Sequence, residues 1–327
     1  MSERQPHLDT SEITHEKHSL RPYSELGKGE DYINTWGVIL YKGEPRSLYL
    51  DDEITEVIFT DEIIESVGSP TERPIRIGDF GGADGALIRT VTNQLREHGY
   101  QAVGAIVDAS LKEGKTRESW DQYREQNPDR TDRIIAIPAN FMTDQEKINL
   151  HDESLDIILS RFVTQYFPEA GRSDFFAAHA RYLKADGRMI CEWPGAADAE
   201  SEKAMNEFWS GYANITQGIA PEEFRKVQHY PTMEQVQQAA EAAGLKVVKC
   251  EEVDGLLFNV YESMVSNGSR FVKFNDEQKV RLRLLFERLH EQYSNAIHYD
   301  QQTDNYYFKF IIAKLVVEKP APELAAE

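Results

Sequence analysis

From Ile75 to Trp193, short apolar runs alternate with longer amphipathic ones, and few folds accept that alternation. Ile75–Phe80, Ala102–Val107, Arg133–Ile137, Leu155–Leu159 and Arg188–Trp193 have the length and composition of strands. Ala86–Glu97, Leu111–Gln126 and Ser173–Leu183 have helical spacing and are closed by turn signals such as His98-Gly99, Asn127-Pro128 and Lys184-Ala185-Asp186-Gly187. Strand, helix, strand repeated this way predicts an α/β fold, a parallel sheet with helices on both faces. Right-handed crossovers make it doubly wound. Downstream the pattern is looser: a helix over Met233–Ala243, a strand over Leu245–Cys250, a helix from Asp276 to Asn295 and a last strand over Tyr306–Val317.

Five segments are expected. Residues 1–72 form an N-terminal arm and lid, with aromatic Tyr23, Tyr32, Trp36, Tyr41 and Tyr49, then a helix over Asp51–Ser66 ended by Ser69-Pro70 and Arg73-Pro74. Residues 73–193 are the binding core, 194–231 a substrate-lid insertion, 232–318 the completion of the sheet, and 319–327 a disordered tail. The helical insertion within Asp254–Asp304 either covers the sheet edge or makes a homodimer contact.

Charge narrows the partners. There are 36 Lys+Arg against 56 Asp+Glu, a formal net charge of −20, so nucleic acid and anionic membrane surfaces are repelled. A small-molecule substrate is expected. The two cysteines, Cys191 and Cys250, exclude a disulfide framework, and no apolar run approaches the roughly 20 residues of a membrane span. With no signal peptide visible at the amino terminus, the expected location is cytoplasmic. His15-Glu16-Lys17-His18 is not H-E-x-x-H and reads as solvated surface, so no metal is expected.

The turn after the first strand is Asp79-Phe80-Gly81-Gly82-Ala83-Asp84-Gly85. Glycines there let backbone N–H groups approach a ligand at a helix N-terminus. It is not the dinucleotide pattern G-x-G-x-x-G, because Ala83 stands third from Gly81. Asp79 and Asp84 would repel a pyrophosphate, whereas a ligand with ammonium and sulfonium charges suits them.

This run resembles the first motif, D-x-G-x-G-x-G, of class I S-adenosylmethionine-dependent methyltransferases, with Asp79, Gly81 and Gly85 matching and Ala83 replacing the middle glycine. Val103–Ser110 resembles the second motif, whose strand-ending acid, here Asp108 followed by Ala109, binds the ribose hydroxyls. Ile137–Phe141 resembles the segment after strand three, with Asn140 in place of an adenine-binding acid and Phe141 beside it. His151–Phe162, which contains Ser160, resembles the fourth-strand signature, and Leu183–Ile190 the turn into strand five. The resemblance implies a Rossmann-like sheet of seven mostly parallel strands with an antiparallel last strand, S-adenosylmethionine as cofactor, and a lid over the site.

Ligands bind at the carboxyl ends of parallel strands, which makes Arg161, Thr164, Gln165, Tyr166, Glu192 and Trp193 candidates for the chemistry. Arg161 can clamp a substrate carboxylate or pair with a nearby acid. Tyr166 can bond an amine or hydroxyl or simply pack, and Asn140 can serve adenine or substrate. Tyr23, Tyr32, Trp36, Gln165 and Trp193 are the substrate and lid candidates, with aromatic faces suited to a sulfonium. The leading expectation is methylation of O or N on a small metabolite. The alternative, as in azetidine-2-carboxylate synthases, is cyclisation of the cofactor's aminocarboxypropyl arm with release of methylthioadenosine, should Asn140, Ser160 and Tyr166 gather around that arm. A non-catalytic cofactor-binding subunit is the third reading, opposed by the intact acids Asp79 and Asp108.

Overall fold

A computed structural model describes residues 38–41, 44–47, 52–131, 133–226, 229–253, 256–257, 274–301, 304–308 and 310–321. Tyr23, Tyr32, Trp36, Tyr49 and the His15–His18 run lie outside them.

Two short strands, β1 (Val38–Tyr41) and β2 (Glu44–Ser47), come first. Helix α1 follows, from Asp52–Thr55 through a π-helical turn, Glu56–Thr60, into Asp61–Val67. The expected alternation then appears as β3 (Ile75–Phe80), α2 (Ala86–Glu97), β4 (Ala102–Val107), α3 (Lys115–Gln126), β5 (Ile134–Ile137), β6 (Leu155–Arg161), α4 (Glu169–Ala180) and β7 (Leu183–Ala196). After it come α5 (Ala199–Gln217), α6 (Met233–Ala242), β8 (Lys246–Glu252), β9 (Leu256–Leu257), α7 (Asp276–Gln292), β10 (Ile297–Asp300), β11 (Asn305–Phe308) and β12 (Phe310–Glu318).

The main sheet has seven strands in the order β5-β4-β3-β6-β7-β12-β8. β12 is antiparallel to both of its neighbours, β7 and β8, and the other pairings are parallel. This is the expected architecture. Side chains alternate across each strand, so the sheet buries two separate cores. On one face Ile77, Ile157, Ile190 and Ile312 pack with α1, α2, α5 and α7. On the other, Phe80, Ile158, Cys191 and Ala313 pack with α4 and α6.

Two local expectations are corrected, and the insertion helix is placed. The single strand foreseen over Tyr306–Val317 is a hairpin strand followed by a sheet strand. Tyr306 is stacked on Phe286 of α7 at 5.4 Å with the Arg283 guanidinium over its ring, which ties it to the helical layer rather than to the sheet. The turn at Lys184–Gly187 lies within the continuous β7, with Asp186 at φ +61. The insertion helix, α7, packs on α5: Phe208 and Phe286 meet at 4.9 Å, and a Cβ on Gly211 would lie 2.9 Å from Leu285 Cδ2.

The second core holds a buried histidine. His179 sits among Phe80, Phe141 and Phe175, with ring centroids 4.3–5.0 Å away, and its Nδ1 is 2.6 Å from the Phe175 carbonyl. Burial pushes its pKa down to about 4, so the folded state holds it neutral. The unfolded chain binds a proton there near pH 6.5, so stability is full above that pH and falls as pH drops toward 4. The expected loss is about 3 kcal/mol. Urea titrations of the wild type and His179→Phe between pH 7 and 4.5 check this; identical pH slopes would refute it.

Candidate active site

At the carboxyl ends of β3, β6 and β7 the chain places an unusual set of charges. The turn after β3 needs its glycines: Gly81 and Gly85 have φ of +80 and +78, and a Cβ on Gly81 would meet Val163 Cγ2 at 2.6 Å. Gly82, which the motif does not require, lies against the Asp79 carboxylate with no room for a Cβ. Ala83 adopts φ +46, the left-handed region that the missing glycine would occupy without strain.

Asp108 ends β4 and holds this turn. Its Oδ2 accepts the Ala83 N–H at 2.9 Å, while Oδ1 accepts the Ser110 N–H at 2.8 Å and the Ser110 hydroxyl at 2.6 Å. Ala109 opens the short 3-10 turn behind it. Asp84 is structural as well: buried, it accepts from Ser119 Oγ at 2.9 Å and lies 3.8 Å from Arg89.

Asp79 is buried with its Oδ2 lacking any partner. Burial raises its pKa to about 7, the Arg161 charge opposes that rise, and Asp108 adds to it. A cationic ligand favours the ionised form. Its binding should release a proton near pH 7, and its affinity should rise as pH climbs from 6 to 8. Calorimetry in two buffers of different ionisation enthalpy reads this proton release directly, and an affinity independent of pH in this range would refute it. In the free protein the sign is opposite: Asp79 is protonated below pH 7, and stability falls as pH rises through 7.

Arg161 does not stand open for a bidentate clamp. Its Nε donates to Glu192 Oε2 at 2.6 Å, its Nη2 to Thr55 Oγ1 at 3.3 Å, and its guanidinium lies 4.9 Å from the Phe59 ring centre. Thr55 and Phe59 thus bring α1 over the strand ends. Glu192 has no exposed surface; burial raises its pKa while Arg161 opposes the rise.

Other expected site residues take structural places. Trp193, one residue along from Glu192, faces the opposite core with no exposure and donates to the Pro231 carbonyl at 3.3 Å, so it packs instead of lining a lid. Ser160 likewise is buried on the face opposite Arg161, in register with Cys191. Phe141 belongs to the aromatic core around His179. Asn140 closes its own turn, its Oδ1 accepting from Met142 N at 2.9 Å and Thr143 N at 3.3 Å. Tyr166 is half-buried beside Gln165, its phenol pKa raised by burial. Among the described residues, no three His, Cys, Asp or Glu side chains are placed to hold a metal, and no helix is long and apolar enough to cross a membrane.

His229 went unnoticed in the sequence. Its N–H donates to the Gln165 carbonyl at 2.7 Å, which holds it over the end of β6. One ring nitrogen bonds the Lys226 backbone and Nε2 is left without a partner. Burial, helped by the Arg172 charge, lowers its pKa and keeps it neutral. The only sequence signal was its place just before Tyr230-Pro231, where the chain returns to the sheet.

A glycine turn after the first strand of a seven-stranded sheet with one antiparallel strand is matched by a family model, described as a methyltransferase domain, over residues 54–250. The chain belongs to that family. It is a S-adenosylmethionine-dependent transferase, and the matched span runs from α1 to β8. No curated protein matches it in sequence. Among solved structures the methyltransferase is similar to the YcgJ protein of Bacillus subtilis, at TM-score 0.54 and 14% identity, covering 80% of this chain and 98% of that one. It is also similar to geranyl diphosphate C-methyltransferase from Streptomyces coelicolor, solved with Mg2+, geranyl diphosphate and S-adenosyl-L-homocysteine, at TM-score 0.50 and 12% identity, covering 96% and 100%. The [4+2]-cyclase SpnF is similar too, at TM-score 0.51 and 12% identity, covering 88% of each chain. Identities this low speak for the shared fold alone, so the reaction has to be argued from the site.

Proposed function

We propose that this protein transfers a methyl group from S-adenosylmethionine to a nitrogen or oxygen of a small molecule. The observation that carries the reading is the enclosure of the strand ends. Asp79, Arg161 and Glu192 have side-chain or residue exposures of 1%, 8% and 0%, with α1 packed on Arg161, an enclosure that favours a small substrate over a polymeric one. The net charge of −20 adds to the case against nucleic acid.

The residues present fit the cofactor. The unpartnered Asp79 Oδ2 suits its ammonium, the Asp108 carboxylate its ribose, and the Gly81–Gly82 backbone, where a Cβ has no room, a close approach of its amino acid arm. When bound, the cofactor supplies an electrophilic methyl carbon on a sulfonium. The chain's own residues then orient and desolvate: Asp79 fixes one end, Asp108 the other, and α1 with Phe59 excludes water.

Cyclisation of the cofactor is less well supported. It needs Asn140, Ser160 and Tyr166 around one arm. Asn140 follows β5, three strand spacings, or about 14 Å, from β6, and Ser160 lies on the opposite face from Asp79. The reading is tested by incubating the purified protein with S-adenosylmethionine alone. The cofactor is expected to remain nearly intact; steady enzyme-dependent methylthioadenosine would replace methyl transfer with cyclisation.

A further inference from the structure

A row of charges crosses one face of the sheet, buried at Arg161, Glu192 and Lys314 and partly exposed at its β8 end. Arg161 on β6, Glu192 on β7, Lys314 on β12 and Glu251 on β8 line up in register, with Lys249 two residues along β8 and Glu62 reaching in from α1. Lys314 Nζ lies 2.7 Å from Glu62 Oε1 and 3.0 Å from Glu251 Oε1, and Lys249 Nζ lies 2.6 and 3.2 Å from the same two atoms. Both lysines bond Glu62 and Glu251, while the Lys314 charge also acts on Glu192. Arg161 reaches Glu192 through Oε2 alone, which leaves the fully buried Oε1 without a donor.

A buried carboxylate oxygen in that state calls for a hydrogen-bond donor from outside the chain. It sits on β7 in register with Arg161 at the end of β6, two strands from Asp79 and on the same face, with the Phe59 ring against the paired Arg161 guanidinium. A buried anionic oxygen is the chemistry that selects a cation bearing N–H groups. We propose that the methyl acceptor is an amine, bound as its ammonium through an N–H to Glu192 Oε1. The assignment rests on the methyl-transfer reading and chooses nitrogen over oxygen within it. The balance is complete: the ammonium proton passes to solvent, the nitrogen lone pair bonds the methyl carbon, and the C–S pair leaves on sulfur as S-adenosylhomocysteine.

The test uses methyl-labelled S-adenosylmethionine with shape-matched probes: benzylamine, benzyl alcohol and benzoate, then 1,4-diaminobutane, butane-1,4-diol and succinate. Label should enter the amines about tenfold or more faster than the alcohols or acids. Glu192→Gln should raise the amine KM about tenfold while cofactor Kd stays within about twofold. Preference for an alcohol or acid, label in none of the six with cofactor binding intact, or an unchanged KM in Glu192→Gln overturns the amine assignment. Should Glu192→Gln fail to fold, the wild-type ranking decides. Failure of the wild type to bind the cofactor would instead sink the methyl-transfer reading itself.

Discussion

Replacing Lys314 with methionine is expected to cost about 3–5 kcal/mol of unfolding free energy. Lys314 is 5% exposed at its side chain and its partner Glu62 6%, and removing the lysine leaves Glu62 with only Lys249 on its outer side. Methionine keeps most of the volume, so the loss measures charge and not cavity. The pair Lys314→Met with Glu62→Gln should recover part of it, because the uncompensated buried charge is then gone. Urea denaturation of the three variants reads this directly; a loss under about 1 kcal/mol in Lys314→Met would mean that water or Lys249 already satisfies Glu62. The same substitution loosens α1, which Glu62 anchors to β12 and β8, and the region above Arg161 should become more open to hydrogen exchange.

The second large effect is expected at Asp108. Alanine there removes three hydrogen bonds, to Ala83 N, Ser110 N and Ser110 Oγ, all made by one carboxylate. Ala83 then loses the tie that holds it in the left-handed region at φ +46. Cofactor affinity should fall about 100-fold or more, because the shape of the glycine turn is lost together with the carboxylate proposed to meet the ribose. Asp108→Asn keeps an acceptor oxygen and should lie between the two. Calorimetry with S-adenosylmethionine separates them, and wild-type affinity in Asp108→Ala would remove Asp108 from the site.

Much of the fold was legible because its signals are local. Five apolar runs separated by helical spacing implied the parallel core, and turn residues marked most of its boundaries. The glycine turn could be read as a close approach because only glycine adopts φ near +80 without strain. The positions of Asp79 and Asp108 were legible for the same reason: one is the penultimate residue of β3 and the other directly follows β4, and strand ends follow from the chain's own periodicity. Helix α5 was not foreseen within 194–231, although Asp198 caps its start and Gly218 ends it at φ +69.

What the sequence by itself determined, then, is the order of strands and helices and the glycine turn after β3, since these depend on neighbours a few residues apart. The tertiary structure alone decided which charges meet. Lys314 finds Glu62 across 252 positions and Arg161 finds Glu192 across 31, and no periodicity encodes either pairing. It also decided which side of the sheet each candidate faces, sending Glu192 toward α1 and Trp193 into the opposite core. A residue's parity along its strand is local. Which core receives that parity depends on how the helices cover the two faces, and burial of the whole apolar surface settles that only once the chain is assembled.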